Sequence, residues 1–368
     1  MKRKSLLALV LALVMSIAAV FALVGCGGGE SGGESGGDKR PADTSFVGCL
    51  SAATYEDEES AAIGFLSAEL DGAATKTQFV GAEKGDELSE EEIAALELGD
   101  DIDVNDVESA AHYTVKYTET EVSDKAHASA ESAKSYKIVI IKIGSHYYYY
   151  IPVMPKGGAI TNSYIAMVCD PKKYVNVTET SVGKSTTTVQ GYSVTVTLTT
   201  TTKLAGDRAH IKLVSSILGE TQIEEYYLVT ENESLVMYYY DKYDDSWENF
   251  GSAEYATLEQ LLEDAVFNFD HTYFERTASG FKMSSGKLRQ YLNDVMGDDL
   301  KALLGRDFQV KSASADYYVK DARLDEVKAK ITMKGVVEGM STTATVSTTT
   351  KYTDYGTTVI DLPFSIEE

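Results

Sequence analysis

The sequence predicts an α+β protein of two domains, a small α+β domain followed by an antiparallel β-sheet covered by two helices. Three observations carry this. Apolar and hydroxyl-bearing residues alternate with period two through most of the second half, the pattern of strands buried on one face. Two segments interrupt that alternation with helical spacing. Three of the five prolines, Pro152, Pro155 and Pro171, cluster around Gly157-Gly158 and Asn162. They place a boundary near 170–175 in a chain of 368 residues, too long for one ordinary core.

The first domain, 46–170, opens with Glu58 to Leu70, where Ala62, Phe65, Leu66 and Leu70 share one side and Asp71-Gly72 ends the helix. Ser89-Glu90-Glu91-Glu92 is a capping box ahead of Ile93, Ala94 and Leu96. Alternation then appears at Tyr113, Val115 and Tyr117, and again at Tyr136, Ile138 and Ile140. Gly144-Ser145 turns the latter strand into His146–Val153 as a hairpin. Two short helices beside a small antiparallel sheet is the expectation. It resembles the cystatin- or NTF2-like cones found in some lipoproteins.

The second domain, 174–368, begins with a four-strand meander. Tyr192, Val194, Val196 and Leu198 alternate with Ser193, Thr195 and Thr197. Ala205-Gly206-Asp207, Leu218-Gly219-Glu220 and Glu231–Ser234 are its turns. Two helices follow. Thr257 and Gln260 cap one in which Leu258, Leu261, Leu262, Ala265, Val266 and Phe269 form an apolar stripe. Leu288, Tyr291, Leu292, Val295 and Met296 repeat the spacing in the other. Strands resume after 307, with Val327, Ala329, Ile331 and Met333 inward, and the chain closes on Thr357–Leu362.

This order of elements, with the closing Tyr355-Gly356-Thr357-Thr358-Val359-Ile360-Asp361-Leu362-Pro363, resembles the lipoprotein-carrier (LolA-like) half-barrel of Gram-positive surface lipoproteins. The resemblance covers 174–365. It implies a curved sheet around helices, with space between them for acyl chains or another apolar ligand. Leu262, Phe269 and Leu292 would line that space. Trp247, alone of its kind and following Asp244-Asp245, is a further candidate ligand contact, or equally a plug for the open sheet edge.

The N-terminus predicts an address. Lys2-Arg3-Lys4 precedes an apolar run from Leu6 to Val24 broken only by Ser16, the layout of a signal peptide over 1–25. Leu23-Val24-Gly25-Cys26 resembles the bacterial lipobox, implying cleavage between Gly25 and Cys26, diacylglycerol on the Cys26 thiol, and a chain held on the extracytoplasmic face of the cell membrane. The alternative is an uncleaved apolar anchor, since about 20 apolar residues span a bilayer. Residues 26–45, including GGGESGGESGG, read as a flexible tether with a reach of about 25 Å. The formal net charge is −24. The first 25 residues hold three basic and no acidic side chains, so their removal takes it to −27. Such a surface repels nucleic acid and anionic headgroups.

Catalytic patterns lack necessary members. Val182-Gly183-Lys184-Ser185-Thr186 ends like a P-loop, but Thr178 stands where the first glycine is needed. Ser181-x-x-Lys184 and Ser284-x-x-Lys287 have no accompanying Lys-Thr-Gly. Asp101-x-Asp103-x-Asn105 begins like a calcium loop, but Asp106 and His112 occupy positions that require Gly and Glu. The five histidines are scattered singly, so no metal is expected. Cys49 and Cys169 would close about 120 residues as a disulfide, contributing about 4–5 kcal/mol; two separate buried thiols is the other reading. The 24 tyrosines, including Tyr147–Tyr150, suit stacking on a ligand or cross-strand packing.

The expectation is therefore a membrane-anchored, non-enzymatic lipoprotein without cofactor. It binds an apolar or amphipathic ligand in the second domain. The alternative is a scaffold with a filled core that meets another envelope protein.

Overall fold

The computed structural model describes residues 42–364 apart from 47, 97, 99–101, 123–131, 153–158, 233, 242–243, 253–256, 259, 261–269, 285, 292–308 and 338–339. They divide into two units, one drawn from 41–168 with 269–281, the other from 169–268 with 282–368.

In the first unit β1 (Cys49–Leu50), β2 (Thr75–Glu87), β3 (Val107–Glu121), β4 (Ser132–Ile143) and β5 (His146–Ile151) pair antiparallel in the order β1-β5-β4-β3-β2. Both faces of β4 are buried: Tyr136, Ile138 and Ile140 on one, Val139 and Ile141 on the other. The tyrosine run obeys the same period of two. Tyr149 meets Phe65 at 5.6 Å between ring centroids, while Tyr150 packs with Val139 and Ile141.

Three short helices accompany the sheet: α1 (Glu58–Phe65), α2 (Glu90–Ala94) and α3 (Asn162–Val168). Asp57 and Ser60 form a reciprocal capping box at the start of α1, and Ser89 and Glu92 form one at α2, each satisfying backbone donors that the first turn leaves free. The helical run after Phe65 does not continue as α-helix. Leu66–Leu70 is a π-turn.

The segment before β1 is fixed by a buried ion pair. Arg276 Nη2 lies 3.0 Å from Asp43 Oδ2, with the two side chains 7% and 1% exposed. Arg276 also donates to the Asp43 carbonyl at 3.1 Å, to the Gly280 carbonyl at 2.5 Å and to the Tyr164 hydroxyl at 3.0 Å. Tyr164 in turn donates to Asp43 Oδ2 at 2.6 Å.

The remaining strands are β6 (Asn176–Val189), β7 (Tyr192–Ala205), β8 (Arg208–Ile217), β9 (Glu220–Glu231), β10 (Ser234–Asp241), β11 (Ser246–Ser252), β12 (Glu275–Arg276), β13 (Gly280–Met283), β14 (Gln309–Lys320), β15 (Arg323–Val337) and β16 (Met340–Thr353). Their sheet runs β11-β10-β9-β8-β7-β6-β16-β15-β14-β13-β12. Two meanders, β6–β11 and β14–β16, are joined by the long antiparallel pairing of β6 with β16, from Thr178–Thr353 to Val189–Thr342. Tight turns make the hairpins. Leu218 and Gly219 both have positive φ, as do Asp321 and Ala322, the backbone that matches a twisted two-strand ladder.

The expected α+β class and helix-covered half-barrel are both corrected. The described residues form two open antiparallel sheets with few and short helices, and the larger sheet runs from edge to edge without closing. Two physical reasons explain the difference. Polar stretches such as Thr75–Glu87 become long strands because backbone ladder hydrogen bonds, here to β3 along the sheet edge, do not need strict apolar alternation. Helical patterns also overran their true length: the first stops at Phe65 and the second at Ala94. Of the two central helices, the described residues show helix at 258, 260 and 286–291 only.

Candidate functional site

Register assigns each residue of the second unit to one of two sheet faces. Leu204, Thr202, Thr200, Leu198 and Val196 of β7 stand opposite Val177, Glu179, Ser181, Gly183 and Ser185 of β6, and opposite Ala209, Ile211, Leu213, Ser215 and Ile217 of β8. This is the apolar face. Its coverage is uneven. On β14–β16 it is buried, with Tyr317, Val327, Ile331, Ala344 and Val346 all under 5% exposed. On β7 and β8, Leu198, Ile211, Leu213 and Ile217 are only half-buried.

Between these regions runs β6, and from Glu179 to Thr187 the side chains it carries on this face are polar. Ser185 and Thr187 are buried, and neither hydroxyl has a hydrogen-bond partner. An unmet buried hydroxyl costs about 1–3 kcal/mol. Glu179, six residues before Ser185, is half-buried and makes no hydrogen bond or ion pair among the described residues. Its low-polarity surroundings push its carboxyl up to about 7, so at neutral pH a large fraction is protonated and able to donate. Gly183 stands midway. A Cβ there would come within 2.7 Å of the Thr348 methyl, so the strip is packed tightly at its centre. Ser181 accepts from the Thr350 hydroxyl at 3.2 Å. That leaves Glu179 on one side of it and Ser185 and Thr187 on the other with unspent hydrogen-bonding groups, between buried apolar side chains on one flank and half-buried ones on the other.

No protein family and no curated protein matches the chain by sequence. Among solved structures it is similar to a DUF1329 family protein from Desulfovibrio piger ATCC 29098, at 9% identity and a TM-score of 0.21, over 52% of this chain and 90% of that one. A likeness at that level fixes neither fold nor activity.

Trp247 lies on the opposite face. It packs against Tyr227 at 4.9 Å, Tyr240 at 5.3 Å and Phe364 at 5.5 Å between centroids. His210 stacks on Tyr227 at 4.4 Å and meets Glu225 at 2.7 Å. The closing segment supplies Ile360, Leu362 and Phe364 to this cluster, so Trp247 is engaged by the chain's own residues. Leu262, Phe269 and Leu292 lie outside the described residues, as do Gly25 and Cys26. Cys49 and Cys169 are free thiols, the first half-buried and the second buried; burial pushes both thiols up. Val182–Thr186, the P-loop-like stretch, lies inside β6 and pairs with β7 and β16. Asp103 accepts from the Asn105 amide in a short turn.

The first unit has a second polar cluster. The π-turn aims Glu69 inward, where it is 5% exposed. It accepts from the Ser163 amide at 2.9 Å, the Ser163 hydroxyl at 2.6 Å and the Tyr149 hydroxyl at 3.1 Å. His271 is also buried, its Nε2 without a partner, and burial pulls its pKa down. Sequence reasoning missed both this cluster and the β6 strip. Glu69 sits on a stretch read as ordinary helix, and the strip's serines and threonines look like any polar strand face until register sets them between apolar neighbours.

Proposed function

We propose that this protein is a non-enzymatic, lipid-anchored extracytoplasmic binding protein whose second unit takes an amphipathic molecule along β6–β8. The observation that carries the reading is the β6 strip: Ser185, Thr187 and Glu179 offer hydrogen bonds beside an apolar face that is only half-buried. The polar edge of a ligand meets Glu179 and, once the side chains that close off Ser185 and Thr187 shift, their hydroxyls. Its apolar body covers Leu198, Leu213 and Ile217. Apolar surface supplies the affinity and the few polar groups supply orientation. Anchoring through Cys26 on the N-terminal tether is part of the same reading and rests on the lipobox alone.

The test is binding of cis-parinaric acid by the purified full chain, alongside mass spectrometry of its organic extract. Saturable binding that weakens by about tenfold in Leu213→Glu is expected, since a buried charge there loses roughly 1.4 kcal/mol or more. An empty extract together with no saturable binding would sink the proposal.

A further inference from the structure

The other face of the same strands has a different chemistry. On β16 it shows Thr343, Thr345, Ser347, Thr349 and Lys351 in alternation. On β6 it shows Thr180, Val182, Lys184, Thr186 and Thr188, and on β7 Ser193, Thr195, Thr197, Thr199 and Thr201. Rows cross the sheet in register: Thr332, Thr345, Thr186 and Thr195 stand side by side, joined by hydroxyl contacts of 3.3 Å and 3.1 Å. None of these hydroxyl-bearing residues is buried, and Thr195 and Thr197 are exposed.

Set among them are Lys184, Lys203, Lys330, Lys334 and Lys351. These five lysines have no carboxylate partner among the described residues. The chain as a whole has 57 acidic side chains against 33 lysines and arginines, so most cations should find a carboxylate. Within β15, β16, β6 and β7 this face has one acid, Glu326, which is buried beside Lys328. An unpaired cationic field on an acidic protein is a surface for an anion.

Spacing decides what kind of anion. Strands lie about 4.8 Å apart and same-face residues about 6.7 Å apart along a strand. Lys330 and Lys184 share a row two strands apart, hence about 10 Å; Lys334 is four residues from Lys330 on β15, hence about 13 Å. Lys351 and Lys203 extend the line toward β7 at similar intervals. Neighbouring pairs can share a phosphate, but the five together reach too far to converge on one, and they can follow a chain whose charges repeat. The hydroxyl rows between them suit a polyol or sugar backbone. On this face of β16, β6 and β7 there is no aromatic side chain, so the base-stacking platform of a single-stranded nucleic acid binder is missing.

We propose that the Lys–Thr face of the second unit binds a linear, phosphodiester-linked polyol or sugar polymer. The lysines pair with successive phosphates, and the threonine and serine hydroxyls hydrogen-bond the backbone between them. The contact is electrostatic and weakens as salt rises.

The test uses the full chain with poly(glycerol phosphate), neutral dextran, a poly(dT) oligonucleotide and phosphatidylglycerol vesicles as parallel probes at low and high salt. Retention of poly(glycerol phosphate) alone, lost at high salt, is expected. A K184Q/K330Q/K334Q/K351Q variant should lose roughly tenfold or more in affinity, and the corresponding Lys→Arg variant should keep it. All four side chains are exposed, so the melting temperature should not move, and a shifted melt would be checked against the Arg variant. No binding of poly(glycerol phosphate), equal binding by the Gln variant, or preference for the oligonucleotide or the vesicles would each overturn the proposal. Because cis-parinaric acid reads the opposite face, the two proposals fail independently.

Discussion

The two units differ in how their most prominent buried polar clusters are paired. In the first, Asp43, Arg276, Tyr164, Glu69 and Ser163 are mutually satisfied, each by two or more hydrogen bonds or ion-pair contacts. In the second, Ser185, Thr187 and Glu179 share one strand and make no side-chain hydrogen bond or ion pair among the described residues. A satisfied buried network specifies a fold, whereas an unsatisfied one costs stability that the fold gains nothing from unless something else completes it. The clustered first-unit network serves architecture, and the unpaired strip of the second is what the proposed binding role rests on. The first unit has its own exceptions, the buried His271 Nε2 and the Tyr113 and Tyr136 hydroxyls, none with a hydrogen-bond partner among the described residues, but these are scattered and do not line one strand.

The contrast breaks most visibly at the ion pair. Asp43→Ala leaves Arg276 buried with its charge uncompensated, and the first unit should lose about 3–5 kcal/mol in denaturant unfolding. Replacing both residues, as Asp43→Leu with Arg276→Met, should recover much of that loss. A single variant that costs under 1 kcal/mol would show that the pair does not hold this segment. Glu69→Ala strands three donors instead of a charge, so about 2–3 kcal/mol is expected there.

Titration separates the units by sign. Burial raises the Glu179 carboxyl from 4.5 to about 7. Between those values the native second unit holds a proton that the unfolded chain releases, so its stability falls as pH rises through that window, by about 1–3 kcal/mol. His271 shifts the other way. Its pKa is lowered from 6.5 by burial, against the opposing pull of Asp270, Glu69 and Asp71. The unfolded chain takes up a proton below 6.5 that the native first unit resists, so stability falls as pH drops. Hydrogen exchange resolved by segment should show β6–β8 loosening toward pH 7 and α1 with the π-turn loosening toward pH 5. Glu179→Gln should flatten the first trend only.

What was legible in the sequence differs between the units for the same physical reason. The meander of β7–β10 was visible because period-two alternation and the Gly206 and Gly219 turns are local signals, and both capping boxes were visible because they span four residues. The β6–β16 pairing was not, since nothing near Thr178 marks Thr353, far along the chain, as its neighbour. The candidate strip depends on that pairing. Only when β16 and β7 flank β6 do Ser185 and Thr187 become buried among apolar side chains. The surroundings of Trp247, read as a ligand contact or equally as a plug for the sheet edge, were illegible for a related reason. Its partner Phe364 comes from the closing segment, which sequence distance hid.

The smallest expected effect is the sharpest test of the comparison. Thr187→Val keeps the volume and removes a buried hydroxyl that has no partner. In a satisfied network that exchange costs about 1 kcal/mol; here it should be neutral or stabilise the second unit by up to about 1 kcal/mol. The mirror substitution in the first unit is Ser163→Ala, which removes a hydroxyl donating to Glu69 at 2.6 Å and should destabilise by about 1–2 kcal/mol. If the strip completes a ligand, Thr187→Val must also weaken cis-parinaric acid binding while the protein itself becomes no less stable. Stability and binding would then move in opposite directions at one side chain. A Thr187→Val variant that loses stability would mean the hydroxyl is already satisfied in the native protein, and the difference between the two units would collapse.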